Sequence, residues 1–234
     1  MPQDRIPLEP LLIALAGYLV LQLILNLTNA LYLRGKEPDA RNVLKATFWA
    51  GVVNALYFTT AAVLLHIYRA APNRPPHHNY GVLALLGLPI GPVLWYATAW
   101  GRKIGLALFG RGELVAGEDA VLRVPPSDRY IGWGVVNLAV LQPLGRELFL
   151  RGAFLPSVAL TFGWGWAVAA TLIVELLLRM NIVWVFQTLI YALIVCGLFI
   201  STGTALTGLV AAGVSGAIQG LVLFKLGGGR LRLQ

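Results

Sequence analysis

Apolar residues run in long blocks along this chain, and polar residues gather between the blocks instead of alternating within them. A block of roughly 20 apolar residues crosses the hydrocarbon core of a bilayer as a helix. Each block therefore predicts a membrane span, and the chain holds about seven of them, with six to eight as the range. They are Leu11–Leu33, Ala46–Tyr68, Tyr80–Trp100, a long segment from Tyr130 to Leu160, Trp164–Met180, Ile182–Thr202 and Ala205–Phe224. Pro89 and Pro92 predict a bend in the third span. Pro143 and Gly145 predict an interruption in the fourth, which is long enough for a span plus a re-entrant or tilted piece. The first block is too long for the core of a cleaved signal peptide, and its flank MPQDRIPLEP lacks a basic start.

The expected fold is all-α: a polytopic transmembrane bundle forming one membrane domain, 1–234. It divides into three N-terminal spans (11–100), an interfacial loop (101–129) and a helical core (130–234). Composition agrees, with 58% hydrophobic and 12% charged residues against about 25% charged in a soluble domain. Mean hydropathy is +0.74.

The net charge of +8 points to topology, not to nucleic acid. Arg34, Lys36, Arg41 and Lys45 follow the first span. Arg102, Lys103, Arg111, Arg123 and Arg129 precede the fourth, and Lys225, Arg230 and Arg232 end the chain. With seven spans these clusters share one side with Arg179, leaving Arg5, Arg69 and Arg74 on the other. Positive loops mark the cytoplasmic face, so the N-terminus is expected outside and the C-terminus inside, in the cell membrane or an internal membrane. The basic side would also attract anionic lipid headgroups.

Several features carry no chemistry in this reading. His77 and His78 are adjacent in a Pro-rich loop with no Cys, Asp or Glu at ligand spacing, so a solvated loop is expected and no metal. Cys196 sits mid-span as a packed thiol. Trp133, Trp164, Trp166 and Trp184 lie near span ends, as interfacial aromatics do. In the 101–129 segment, Ile104, Leu106, Leu108 and Phe109 suit either a headgroup-level helix or an ordinary loop, and Ser127 or Asp128 suits a helix cap. No phosphate loop, dinucleotide fingerprint or zinc spacing is present, and no cofactor is expected.

Five charges interrupt the apolar pattern: Arg146, Glu147 and Arg151 in LQPLGRELFLRGAFL, and Glu175 and Arg179 in TLIVELLLRMNIVWV. A charge at mid-bilayer costs at least about 2.5–3.5 kcal/mol, so such residues face a protein interior, take a partner and serve a purpose. Glu147 and Arg151 are four apart, as are Glu175 and Arg179, so each pair shares a helix face. Two carboxylates meet three guanidiniums, and Arg146 is the surplus, expected to point elsewhere on its helix toward a carbonyl, a crevice or an anion. The plainest role for all five is a salt-bridge network pinning the fourth and fifth spans together.

The run Arg146-Glu147-Leu148-Phe149-Leu150-Arg151-Gly152 resembles the first motif of the CPBP family, the CAAX prenyl endopeptidases and bacteriocin-processing membrane proteins. That motif reads Glu-Glu-x-x-x-Arg and commonly ends Phe-Arg-Gly. The family's second motif, Phe-x-x-x-His, falls on Glu175 to Arg179. Its third, His-x-x-x-Asn, falls on Ala212 and Gly216 after the Thr202-Gly203-Thr204 turn. The resemblance covers the C-terminal hundred residues or so and implies a CPBP-like core without its catalytic set. In the family, the first Glu and the His activate water, and the late His and Asn stabilise the oxyanion. Here Arg146 and Arg179 stand at the first two positions, and a guanidinium cannot act as a general base. Ala212 and Gly216 offer no side-chain donor for an oxyanion.

Gly208, Ala212, Gly216 and Gly220 recur every four residues on the last span. Such a small-residue stripe lets helices approach backbone to backbone. It would turn a cavity-lining face into a packing surface, with Ser215 and Gln219 flanking it as hydrogen-bonding groups. The leading expectation is a pseudoenzyme: a scaffold or accessory subunit of a membrane complex, contacting lipids and other membrane subunits through its last span. The alternatives are an endopeptidase with a displaced site using Glu147 or Glu175, and a protein that binds or transports an anion or lipid headgroup through Arg146 and Arg179.

Overall fold

The computed structural model describes residues 8–33, 40–67, 79–109, 130–179 and 182–227. All secondary structure among them is helical. Helix α1 is Glu9–Leu33, α2 Ala40–Ile67, α3 Tyr80–Leu85 and α4 Gly87–Phe109. The helical rod α5 covers 130–162. After it come α6, Trp164–Arg179, a 3₁₀ turn at Ile182–Trp184, α7, Val185–Thr202, and α8, Ala205–Gly227. The loop carrying His77 and His78, the capping residues Ser127 and Asp128, and the terminal Arg230 and Arg232 lie outside the described residues.

Among the described residues, four helices are long and apolar enough to cross a membrane: Arg41–Ile67, Gly81–Phe109, Val185–Thr202 and Ala205–Leu223. Glu9–Leu25 and Trp164–Leu178 are shorter apolar helices. Large apolar side chains such as Leu12, Leu23, Val93, Leu177 and Leu221 face outward. A soluble protein would not expose so much apolar surface, whereas lipid accepts it.

The proline-bearing elements differ from expectation in two ways. The first concerns α3 and α4. A proline removes one hydrogen bond and clashes with the carbonyl four residues back. For Pro89 that carbonyl belongs to Leu85, where α3 ends, while Pro92 lies inside α4. Thr207 Oγ1 donates to the Leu83 carbonyl at 2.8 Å, so α8 bonds to the backbone at this break. Beyond the prolines α4 continues to Phe109, so residues 101–109 extend the span and are not part of a loop. Gly101 and Gly105 allow this, because their bare backbones lie against Gln187 and the Val183 carbonyl.

The second is α5, which is continuous where an interruption was expected. Two of its stretches widen to π-helix, Asn137–Leu141 and Leu148–Phe154. Each contains the carbonyl that a downstream proline would strike: Ala139 for Pro143 and Gly152 for Pro156. Widening the turn to an i→i+5 pattern absorbs the missing donor without breaking the rod. Gly163 (φ 87°) then ends α5 and Gly203 (φ 73°) ends α7, each in a backbone region that glycine enters freely. These two tight ends fold α5 onto α6 and α7 onto α8.

Helix α4 lies along both α7 and α8, while α5 lies between α2 and α8. A stripe of Gly87, Gly91, Leu94, Thr98, Gly101 and Gly105 buries the inner face of α4. A Cβ on Gly87 would come within 2.8 Å of the Ala211 nitrogen, and one on Gly91 would strike Val214. One apolar core joins α1, α2, α5 and α6 through Tyr18, Phe58, Phe149 and Ala167. The Tyr18–Phe58 and Phe58–Phe149 rings stand 4.3 Å and 5.1 Å apart. A second core joins α4, α7 and α8 through Leu94, Tyr191, Val195 and Ala212.

Candidate functional site: a buried charge cluster beside a polar cleft

The charges of α5 meet α6 and α7 where these two cores adjoin. Glu147, Arg151 and Glu175 are each 0% exposed. Arg151 Nη1 lies 3.4 Å from Glu147 Oε1, the expected pairing four residues apart, and also binds Glu175 Oε1 across the helix interface. Glu175 therefore reaches back to α5; the side chain of Arg179, its expected partner, lies outside the described residues. Tyr191 on α7 donates its hydroxyl to Glu147 Oε1 at 2.6 Å. One guanidinium thus ties α5 to α6, and one phenol ties α5 to α7.

Arg146 does not point away. Its Nε stands 3.7 Å from both Glu147 Oε1 and Glu175 Oε2, and its guanidinium carbon lies 4.2 Å from the centre of the Tyr191 ring. In an α-helix, residues five apart diverge by about 140°. The π-helical turn brings residues five apart toward one face, so Arg146 and Arg151 approach the same two carboxylates. The described cluster therefore balances two positive against two negative groups.

Beside it lies a polar cleft of about 50 Å³, room for roughly three to five water-sized positions at ~10–15 Å³ each. Its polar walls are Thr98 from α4, Gln142 and Arg146 from α5, Gln187 and Tyr191 from α7, and Ser215 and Gln219 from α8. Along α5 the lining runs from Arg146 back to Leu138, and along α8 from Ala212 forward to Gln219. Both directions lead toward the end where α4 finishes and α7 begins, marked by Arg102 over Trp184 and Lys103 over Trp100. Arg146 holds the deep end, with a side chain 16% exposed. Glu147 does not line the cleft.

The small-residue stripe of α8 is spent inside the chain. Gly208 faces Val195, Gly220 faces Val135, and a Cβ on Gly216 would strike the Leu138 carbonyl. That carbonyl belongs to the first π stretch. The expected conversion of this face into packing surface is incomplete, because Ala212 and Gly216 also line the cleft. Gln142 and Arg146 of α5 face Ser215 and Gln219 of α8 across the cleft. Sequence reasoning passed over Gln142, Gln187 and Thr98. Each is a polar residue inside an apolar block, the same signal that singled out the charges.

No grouping of three His, Cys, Asp or Glu residues suited to a metal ion occurs among the described residues. No family model matches the chain, and neither a curated protein nor a solved structure does.

Proposed function

We propose that this chain is a non-catalytic integral membrane protein that serves as a scaffold or accessory subunit of a membrane complex. Its C-terminal core follows the frame that the Arg146–Gly152 run resembles, that of the CPBP endopeptidases. The proposed topology has seven spans, with the N-terminus outside and the C-terminus in the cytosol. The four apolar helices of spanning length and the cationic side chains at the end of α4 support that arrangement.

One observation carries the functional reading. Glu147, the surviving acid of the resembling motif, is wholly buried, and its Oε1 is taken by Tyr191 and Arg151. An acid that activates water needs the water within hydrogen-bond reach. The group nearest the cleft is Arg146, which holds its protons at all physiological pH. Buried pairs of this kind fix which helices meet more than they add stability. Because the glycines of α8 pack inside the chain, contact with another subunit through the last span falls to outward residues such as Leu221.

Purification from the native membrane in mild detergent, followed by mass spectrometry, tests the proposal. A stoichiometric membrane-protein partner is expected. A chain that purifies alone under conditions that preserve other membrane complexes would contradict it.

A further inference from the structure

We propose that the polar cleft is a binding site for a phosphate-bearing anion, seated on Arg146 with a neighbouring hydroxyl on Gln187. Three independent features meet there. Arg146 lines the cleft, and its closest approach to each carboxylate neighbour is through Nε, at 3.7 Å. No described residue accepts a hydrogen bond from its terminal nitrogens, so the outer edge of the guanidinium fork is free for the bidentate contact that phosphate oxygens make.

Gln187 is 8% exposed, and its Oε1 is buried without a hydrogen-bond partner among the described residues. A buried amide oxygen left unsatisfied costs about 1–3 kcal/mol, and a ligand hydroxyl in the cleft would meet it. Gln142, Ser215, Gln219 and Thr98 supply further neutral hydrogen-bonding groups on the remaining walls. The cleft has room for a few water-sized groups between polar walls, which suits an oxyanion, whether on a headgroup or free. Arg102 and Lys103 follow the lining residue Thr98 by about one turn of α4, toward the end expected to face anionic lipid. Behind Arg146, Glu147 and Glu175 with Arg151 between them carry one net negative charge, which holds the guanidinium in place.

Lipid and free anion share this chemistry, and two probes separate them. Native mass spectrometry of the detergent-purified full chain would follow binding of dimyristoyl phosphatidylglycerol, with dimyristoylglycerol as the control lacking phosphate. Titration calorimetry with inorganic phosphate forms the second arm. Binding of the lipid alone identifies a headgroup site, binding of phosphate alone a free-ion site, and binding of both a phosphate subsite. Arg146→Lys keeps the charge balance of the cluster but removes the fork, and Gln187→Leu leaves the cluster untouched. Each is expected to weaken binding at least tenfold while the protein stays folded by circular dichroism. Absence of binding in both arms, or binding unchanged in both folded variants, would overturn the proposal.

Discussion

Tyr191 donates its hydroxyl to Glu147 across the α5–α7 interface at 2.6 Å, while Arg146 lies against the face of the same ring, 4.2 Å from its centre. A single aromatic side chain thus holds the acid of the cluster with its polar tip and the cation with its π face. Tyr191→Phe keeps the face and loses the tip. Glu147 Oε1 then keeps only the longer hydrogen bond from Arg151, and losing a hydrogen bond to a charged group costs about 1.5–3 kcal/mol. The variant is expected to lower the thermal midpoint in detergent, whereas Tyr191→Leu, which also removes the cation–π contact, should lower it further.

Arg151 is the guanidinium on which both acids converge. Arg151→Met takes from Glu147 and Glu175 the guanidinium that joins them, and breaking a buried ion pair from one side costs about 3–5 kcal/mol. Heating followed by size-exclusion chromatography should show early loss of the monodisperse peak. The double change Arg151→Met, Glu175→Gln leaves Arg146 against Glu147, restores the charge balance of the described cluster and should recover much of that loss.

Glycines separate by what stands over them. A Cβ on Gly216 would strike the Leu138 carbonyl, and one on Gly105 the Val183 carbonyl, both backbone atoms that cannot turn aside. Nothing lies within 4 Å of the corresponding position on Gly152 or Gly165. Gly216→Ala and Gly105→Ala are expected to destabilise by about 1–3 kcal/mol through overpacking. Gly152→Ala and Gly165→Ala, which relieve the helix penalty of glycine, should be neutral or slightly stabilising. Thermal midpoints of the four variants side by side check the distinction.

The order of the helices was legible from apolar block length, whereas some ends were not: α4 runs on to Phe109 past the apolar block that ends at Trp100. The ends at Gly163 and Gly203 follow from glycine chemistry. The π stretches were not legible. Pro143 read as a break, since the sequence does not say whether a helix stops at a proline or widens ahead of it. That ambiguity also hid the position of Arg146, which ordinary α geometry turns away from Arg151. The tie from Glu175 to Arg151 was not legible, because spacing reports neighbours on one helix and says nothing of the neighbouring helix. The cleft was illegible for a related reason: Gln142, Gln187 and Gln219 come from three helices and converge only in the fold.

Topology offers a further check. Reporter fusions that fluoresce only in the cytosol should be active after Gln234 and silent at the N-terminus, because the arginine- and lysine-bearing end of α4 would stay inside. Activity at both termini would require an even number of crossings.

The account rests on Glu147 being a buried structural ion and not a catalyst. Incubation of purified protein in liposomes with a peptide library, wild type beside Glu147→Gln, tests this most directly. The account predicts no cleavage by either form, even where the variant remains folded. Cleavage by the wild type that disappears in folded Glu147→Gln would contradict it.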